Sequence, residues 1–153
     1  MKKEYSYLKK FSLFETLSEE EVNSFIKLMQ FKKVKNEEII IQEGDHGDSI
    51  VLLLSGEVSI TQALTLKNKK LNTDNREKIL IRLKCDIFPY FGEISLFNEV
   101  DKRTATITAI SDCEIAVLND QDLINLCDSN HSLGYKVMKN LAGNLASSLE
   151  KTN

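Results

Sequence analysis

Few of the residues that build disulfide frameworks occur in this sequence. Its three cysteines, Cys85, Cys113 and Cys127, are odd in number, widely spaced and without a C-x-x-C pair, so the sequence predicts no disulfide framework. Free cysteines are commonly buried as small apolar side chains, and thiols without disulfide partners are typical of a reducing compartment. We therefore expect buried thiols and a cytoplasmic protein.

Histidine is scarcer still, since only His46 and His131 occur in the chain. Metal-dependent β-barrel enzymes need several imidazoles together with carboxylates, and the acidic stretch EGDHGD around His46 lacks the spacing of an EF-hand. The motifs G-x-S-x-G, H-E-x-x-H and G-x-x-x-x-G-K-S/T are also missing. The sequence therefore predicts no metal site, no resident cofactor and no catalytic residue, and we expect a protein that is not an enzyme.

Long apolar runs and a strong charge of one sign are absent as well. No run approaches the length of a bilayer span, and the lysines of MKKEYSYLKKF are not followed by the apolar region of a secretory signal, so we expect no membrane association. The net charge is −3 and the pI about 5.5, whereas a protein that coats nucleic acid is basic. The 153 residues suffice for one core, and we expect a single domain over residues 1–153.

The first recognisable element is a helix, predicted at about residues 18–29. Ser18 and Glu21 have the spacing of a capping box, and Leu17 can pack on Val22 as a hydrophobic staple. The apolar residues that follow recur on one helical face. We expect that face to be buried against the rest of the domain.

From residue 30 to about residue 118 the pattern changes to short β-rich runs separated by Gly, Asp and Asn turns. These runs are EEIIIQ, SIVLLL, EVSITQ, KILIRL, TATITAI and EIAVL. Many short strands at regular spacing indicate a sandwich or barrel, here of about eight strands. The polar stretch LKNKKLNTDNREK, which holds several basic residues, is typical of the tip of a long hairpin at the surface.

Helical periodicity returns after residue 119. Asp120 can cap a short helix that runs through Cys127, and a longer helix is predicted at 131–150. The longer helix has one broad apolar face, formed by Leu133, Val137, Met138, Leu141, Leu145 and Leu149. The expected fold class is α+β, with a β-roll or jelly-roll barrel of about eight strands flanked by an N-terminal helix and C-terminal helices.

The stretch FGEISLFNEVDKRTATITA interrupts the β pattern with a carboxylate, a short apolar run and an arginine. Gly92 permits a close backbone approach, and the run from Glu93 can form one helical turn whose free N–H groups attract an anion. Arg103 has a planar fork suited to a phosphate, with the Thr104 hydroxyl and the Ala105 N–H beside it. Glu93 repels a phosphate but accepts hydrogen bonds from hydroxyls. The set suits the phosphate and the sugar of one nucleotide, and a plain salt bridge between Glu93 and Arg103 is the alternative.

Several motifs in this order resemble the cyclic-nucleotide-binding domain family. LFETLSEEEVNSFIKLM is similar to the family's first helix, IIIQEGDHGDSIVLLLSGEVSI to its glycine-turned strands, FGEISLF…RTATITA to its phosphate-binding cassette, and DCEIAVLNDQDLINLCDSN to its closing strand and first C-terminal helix. The resemblance covers roughly residues 11–150. The family includes sensor domains of catabolite-activator-type regulators and regulatory subunits of kinases. This chain departs from it in the longer stretch CDIFPY before Phe91, with Cys85 in place of glycine, and in Lys102, where proline is frequent.

The resemblance implies a role for each residue of the cassette. Glu93 would accept from the ribose 2′-hydroxyl and Arg103 would pair with the cyclic phosphate. Backbone N–H groups from Gly92, Ile94 and Ser95 would bind the same ligand, and Thr104 and Ala105 would complete the phosphate contacts. The helix at 131–150 would close over the base, where Ser147 or Ser148 could reach the purine, although an outward-facing role is the alternative for both serines. The choice between cAMP and cGMP stays open.

We expect a stand-alone, non-catalytic receptor for cAMP or cGMP that signals by repositioning its C-terminal helices. A protein partner or a second copy would read that movement through the last helix. The alternative is a nucleotide-independent interaction module with a degenerate pocket, in which the apolar face of the last helix binds a partner or packs on its own barrel. Because the chain ends at Asn153, shortly after Leu149, we expect no recognition helix and no direct binding of DNA.

Overall fold

The computed structural model describes residues 2–63, 77–97 and 102–152. The helices are α1 (Lys2–Leu8), α2 (Glu19–Ile26), α3 (Asp120–Ser129) and α4 (His131–Thr152), and the strands are β1 (Gln30–Val34), β2 (Ile39–Ile41), β3 (Ser49–Ser55), β4 (Glu57–Ala63), β5 (Glu77–Lys84), β6 (Tyr90–Phe91), β7 (Thr106–Ala109) and β8 (Cys113–Asn119). Two short 3-10 turns, Cys85–Ile87 and Glu93–Leu96, stand on either side of β6. Among the described helices, none is both long and apolar enough to cross a bilayer.

The predicted N-terminal helix is α2, and its capping box is present. The backbone N–H of Ser18 donates to Glu21 Oε1 at 2.9 Å, and the backbone N–H of Glu21 donates to Ser18 Oγ at 3.2 Å. Leu17 and Val22, the predicted staple, are both fully buried in one apolar cluster. The helix ends at Ile26 rather than Met29, and α1 is an additional element that the sequence pattern does not predict.

The strands form two antiparallel four-stranded sheets, in the orders β1-β8-β3-β6 and β2-β7-β4-β5. Together they make a β-roll that does not close into a barrel, and the predicted fold class is confirmed. Two strands lie outside the predicted runs. They are β1, whose residues are mostly exposed, and β6, which has only two residues and so cannot show a strand period.

Strands β4 and β5 are the arms of the predicted long hairpin. They pair antiparallel from Glu57 opposite Lys84 to Ala63 opposite Glu77. The predicted tip, LKNKKLNTDNREK, lies mostly at residues 64–76, outside the described residues. The pairing of the arms therefore supports the hairpin, while the tip stays a prediction.

Two apolar clusters form the core, one on each face of the first sheet. Strand β3 shows the division because its successive side chains point to opposite faces. Ile50 and Leu52 belong to the cluster shared with the helices. Val51 and Leu53 belong to the cluster inside the roll. The roll is thus covered by helices on one side only, and the space between its two sheets remains for a site.

The C-terminal helices correct one prediction about capping. The N-cap of α3 is Asn119, whose Oδ1 accepts from the backbone N–H groups of Gln121 at 2.9 Å and Asp122 at 3.1 Å. Asp120, the predicted cap, is the first helical residue instead. Both residue types suit an N-cap, so composition alone does not decide between neighbours, whereas the end of β8 at Asn119 does.

Helix α4 packs against the N-terminal helical layer along its first half. Lys136 Nζ forms a 3.0 Å ion pair with Glu21 Oε1, and Asn140 Nδ2 donates to the carbonyl of Leu13 at 2.9 Å and to Thr16 Oγ1 at 3.0 Å. The predicted apolar face divides into buried and exposed parts. Leu133, Val137 and Leu141 are buried, whereas Leu149 is 66% exposed.

The three thiols are free, as the cysteine spacing predicts. Cys113 and Cys127 are buried, and Cys85 is partly exposed. Burial raises the pKa of Cys127 to about 11, and the neighbouring charge of Asp128 adds to the rise. A buried thiol that stays protonated is a packing residue rather than a nucleophile.

Candidate ligand-binding site

A cavity of about 190 Å³ lies between the two sheets of the roll. Strands β2, β4 and β7 contribute isoleucines to it, and β6 contributes two aromatic residues. The cavity also contains the cassette residues Gly92, Glu93, Arg103, Thr104 and Ala105. Its full lining is Ile41, Ile60, Tyr90, Phe91, Gly92, Glu93, Lys102, Arg103, Thr104, Ala105 and Ile107. Five of the seven residues proposed from the sequence therefore meet in one place, although their ligand contacts stay predictions.

The longer stretch before Phe91 does bring the cassette to the roll. Phe88 has a left-handed backbone with φ of 52°. Its ring packs edge-on against the rings of Tyr7 and Phe11, with centroid distances of 5.4 Å and 5.7 Å. The carbonyl of Pro89 then accepts from the N–H of Leu53 at 3.1 Å. The next two residues pair with β3 as strand β6. The extra residues thus dock on α1, and the chain returns to the sheet immediately before Gly92.

Gly92 occupies a position that only glycine suits. Its φ is +97°, a region that side chains disfavour. A Cβ there would lie 2.5 Å from the carbonyl oxygen of Ser49 and would collide with the guanidinium of Arg103. The absence of a side chain lets the backbone of the cassette touch the arginine directly.

Arg103 is held by β3 through one of its two terminal nitrogens. Nη2 donates to the carbonyl oxygen of Ser49 at 2.9 Å and to Ser49 Oγ at 3.2 Å. Nη1 is buried and has no hydrogen-bond partner among the residues that the structure describes. A buried donor without a partner is costly, and a guanidinium nitrogen forms its strongest hydrogen bonds with charged acceptors.

The turn EGDHGD fixes the backbone of Arg103. The N–H of Arg103 donates to the carbonyl of Asp45 at 2.7 Å, and the N–H of Gly44 donates to the carbonyl of Arg103 at 2.9 Å. His46 forms an isolated β-bridge with Lys102. Within the described ranges no group of three or more His, Cys, Asp or Glu residues could hold a metal ion. The turn therefore serves as a support for the arginine.

Glu93 is the second buried polar group of the cavity. Burial raises its pKa above the ordinary value of 4.5, while a hydrogen bond from its own N–H and the charge of Arg103 act in the opposite direction. Glu93 Oε2 is buried without a hydrogen-bond partner in the described part of the chain. The carboxylate and the arginine thus do not satisfy each other as a plain salt bridge would, and each leaves one polar atom for a ligand.

Tyr90 lies beside Glu93 at the helical side of the cavity. Burial raises the pKa of Tyr90 to about 12, with the carboxylates of Glu93 and Glu15 contributing further. The phenol therefore stays protonated at neutral pH. Its ring packs against the cluster shared with the helices, whereas the ring of Phe91 packs inside the roll. Neither aromatic residue belongs to the site predicted from the sequence.

The other predicted residues have different positions. The backbones of Ile94 and Ser95 lie in the 3-10 turn Glu93–Leu96, and binding by their N–H groups stays a prediction. Thr104 is exposed, and its carbonyl accepts from Gln62 Nε2 at 3.2 Å. The described lining of the cavity includes no residue of α4, so the structure does not place this helix over the site.

The two serines of α4 are not among the described residues that line the cavity. Ser147 lines a separate surface groove against the N-terminal segment, and Ser148 Oγ donates to the carbonyl of Asn144 at 3.1 Å. Both are exposed. In this arrangement neither serine lines the cavity, and both have the outward-facing position given as the alternative.

Sequence reasoning missed the residues that position Arg103. Ser49 is 54 positions away in the chain, and no local spacing connects the two. A Cβ at Gly47 would lie 2.9 Å from the stem and the centre of the guanidinium, so this glycine permits close packing as well as a turn. The repeated Gly-Asp pairs of the turn were the available signal, but they do not indicate which distant residue packs there.

The fold and the cavity define a ligand-binding β-roll, with an arginine and a carboxylate between two sheets. A family model described as "Cyclic nucleotide-binding domain" matches residues 31–130. This chain therefore belongs to the cyclic nucleotide-binding domain family, as the resemblance of its motifs predicts.

The relatives include kinases and transcriptional regulators. The chain is 36% identical over 106 residues to the cGMP-dependent protein kinase, isozyme 1, of Drosophila melanogaster, covering 69% of this chain and 13% of the kinase. It is 29% identical over 129 residues to the cAMP-activated global transcriptional regulator CRP of Pasteurella multocida, covering 84% of this chain and 55% of the regulator. The chain thus spans a small part of the kinase and about half of the regulator.

Solved structures agree with this family. A cyclic nucleotide-binding domain from Methylobacillus flagellatus superimposes with a TM-score of 0.77 at 25% sequence identity, covering 95% of this chain and 76% of that chain. The agreement extends over nearly all of this chain.

Proposed function

We propose that this chain is a non-catalytic receptor for a cyclic nucleotide. The observation that carries the proposal is the buried, unpartnered Nη1 of Arg103 beside Gly92 in a cavity of the cyclic nucleotide-binding fold. A buried guanidinium nitrogen gains most from a charged acceptor. The cyclic phosphate supplies one negative charge at this position.

The sugar of the same ligand accounts for Glu93. Its unpartnered Oε2 would accept a hydrogen bond from the ribose 2′-hydroxyl. The N–H groups of Gly92, Ile94 and Ser95, together with Thr104 and Ala105, would complete the phosphate contacts. The apolar walls from Ile41, Ile60 and Ile107 suit the flat face of a base. No resident cofactor or catalytic group is part of this proposal.

We leave the base unassigned between adenine and guanine. The relatives carry both ligands in their names, cGMP in the kinase and cAMP in the regulator. Thr104, which follows the arginine, is exposed, and its hydroxyl is therefore free to turn toward either base. Separate titrations with the two nucleotides decide the preference.

Isothermal titration calorimetry tests the receptor. We expect saturable binding of cAMP, cGMP or both. Arg103→Ala should weaken binding by about 100-fold or more, because it removes a buried charge that pairs with the phosphate. The matched control is Lys102→Ala, which removes an exposed cation from the same cavity lining and should cost less than about threefold. Equal losses in the two variants, or no heat from a folded wild type, would count against the assignment.

Ligand binding would be signalled by a change in the position of the C-terminal helices. A ligand shifts a conformational equilibrium only when it binds one state more tightly than the other. The C-terminal half of α4 carries the exposed Leu149, so we propose that a protein partner or a second copy contacts this end of the helix. Residues 1–153 would act as one stand-alone regulatory unit. The cytoplasmic location stays a prediction.

The exposed end of α4 also favours a second candidate, a nucleotide-independent interaction module. Leu149, at 66% exposure, is a large apolar side chain on a helix that continues to Thr152. Sedimentation velocity with and without nucleotide distinguishes the two functions. A stable dimer that neither nucleotide alters, from a sample without measurable nucleotide binding, would favour the second candidate.

A further inference from the structure

We propose that Ser49 is a positioning residue for anion recognition. Its hydroxyl and carbonyl oxygen hold one nitrogen of the Arg103 guanidinium, so that the other nitrogen stays beside Gly92 in the lining of the cavity. The inference rests on the proposed function for the identity of the anion, a cyclic phosphate. The anchoring of the arginine is a property of the protein without any ligand.

The two nitrogens of the arginine fork have separate roles in the structure. Nη2 donates to both oxygens of Ser49, at 2.9 Å to the carbonyl and 3.2 Å to the hydroxyl. Nη1 lies against the backbone of Gly92, because a Cβ built there would collide with it. Nη1 is also buried without a partner among the described residues. Ser49 therefore accepts the hydrogen bonds of one arm, and a ligand can take those of the other.

The remainder of the arginine has little freedom. Its backbone is bonded to the turn by the N–H of Gly44 at 2.9 Å and the carbonyl of Asp45 at 2.7 Å. The backbone of Gly47 lies so close that a Cβ there would be 2.9 Å from Cδ, Nε and Cζ of the arginine. Two glycines thus enclose the guanidinium from separate elements. Rotation of the fork is the freedom that remains, and the bonds to Ser49 remove it.

An arginine that is already ordered binds its anion more tightly. A free side chain of this length loses rotamer freedom when a ligand immobilises it, and ordering it beforehand avoids that loss. The carbonyl of Ser49 would still accept one bond after Ser49→Ala. We therefore expect the variant to bind the cyclic nucleotide about three- to tenfold more weakly, a loss in the range of one immobilised side chain.

The first arm of the experiment is a double-mutant cycle measured by calorimetry. Ser49→Ala is combined with Arg103→Lys, in which one ammonium nitrogen cannot serve Ser49 and the phosphate through separate arms. We expect the effect of Ser49→Ala to disappear in the Arg103→Lys background, and Ser49→Thr, which keeps the hydroxyl, to restore most of the affinity. The control is Ser55→Ala on the same strand, whose hydroxyl accepts from the N–H of Glu114 at 3.1 Å. An equal loss in both backgrounds would show a merely structural role and overturn the proposal.

The second arm needs no ligand. In protein labelled with ¹⁵N-arginine, the guanidinium of Arg103 should show slow rotation and separate Nη signals, and Arg103→Lys assigns them against Arg76 and Arg82. We expect Ser49→Ala to accelerate this rotation and Ser55→Ala to leave it unchanged. A freely rotating Arg103 in the wild type overturns the proposal whatever the calorimetry shows. A slow Arg103 that Ser49→Ala releases, in a protein that binds neither nucleotide, supports the anchor and refutes the proposed function.

Discussion

Replacement of Gly92 by alanine should destabilise the protein through two separable causes. The first is backbone strain, because φ is +97° and an L-residue in a left-handed conformation costs about 1–2 kcal/mol. The second is steric, because the new Cβ would lie 2.5 Å from the carbonyl oxygen of Ser49 and against the guanidinium of Arg103. The backbone carbonyl belongs to a paired strand and cannot move cheaply, so the overpacking adds about 1–3 kcal/mol. We expect a total of about 2–5 kcal/mol.

Two other glycines separate these causes. Gly44 has a similar φ of +90°, yet a Cβ there would meet no atom of the residues that the structure describes within 4 Å. Gly44→Ala therefore measures the strain alone and should cost about 1–2 kcal/mol. Gly143 lies within α4, and a Cβ there would likewise meet no described residue beyond its own helix within 4 Å. Because alanine is the better helix former, Gly143→Ala should stabilise the protein by about 0.5–1 kcal/mol.

Urea unfolding followed by circular dichroism measures all three variants. Each should shift the midpoint without changing the slope, since the surface exposed on unfolding stays the same. The expected order of stability is Gly143→Ala, wild type, Gly44→Ala and then Gly92→Ala. If the free energy of unfolding of Gly92→Ala lies within about 0.5 kcal/mol of that of Gly44→Ala, then Gly92 does not pack closely against Ser49 and Arg103.

Two further predictions concern the helices. Ser18→Ala should destabilise by about 1 kcal/mol, because it removes the N-cap of α2, and thermal unfolding with no change in melting temperature would contradict the role of the cap. Leu141→Ala should destabilise by about 2–5 kcal/mol, since the residue is 1% exposed. Leu149→Ala, a matched change on the same helix at 66% exposure, should stay within about 0.5 kcal/mol but should weaken any self-association in sedimentation.

Local patterns predicted the elements whose signals lie within a few residues. The capping box of α2 joins residues three positions apart, and each of the six β-rich runs contains a strand. The helix α1 is different, because its place depends on contacts of Tyr7 with Phe88, far along the chain. No period within seven residues can report such a contact, so α1 could not be predicted from its own sequence.

The sequence was sufficient to predict the candidate ligand-binding residues of the site, but not the residues that hold Arg103 in position. Gly92, Glu93 and Arg103 form one segment with a recognisable spacing, whereas Ser49 and Gly47 reach the arginine through the fold. The hydrogen bond from Arg103 to Ser49 joins the segment before β7, a strand of the second sheet, to β3 in the first sheet. Only the closing of one sheet over the other brings them together, and that is set by the packing of the whole core.

The carboxyl group of Glu93 yields the last prediction, because its buried state should give stability and affinity opposite dependences on pH. Burial raises its pKa above the ordinary value of 4.5, so between that value and the folded pKa the folded state binds more protons than the unfolded state. The contribution of Glu93 to stability therefore falls as pH rises through this window. Glu93→Gln should be as stable as the wild type in acid and more stable than the wild type at neutral pH. The gain in the free energy of unfolding should be about 1.4 kcal/mol for each unit by which burial raises the pKa of Glu93.

Nucleotide binding should follow the reverse course. A ribose hydroxyl donates to the ionised carboxylate and favours that form, so the affinity of the wild type should increase as pH rises through the same window. Glu93→Gln should bind weakly and without this dependence. Unfolding and calorimetry between about pH 4 and pH 7 test both slopes on the same samples. If the affinity of the wild type does not rise with pH through this window, the buried carboxylate is not the acceptor for the ligand's hydroxyl. If stability rises with pH instead of falling, burial does not raise the pKa of Glu93.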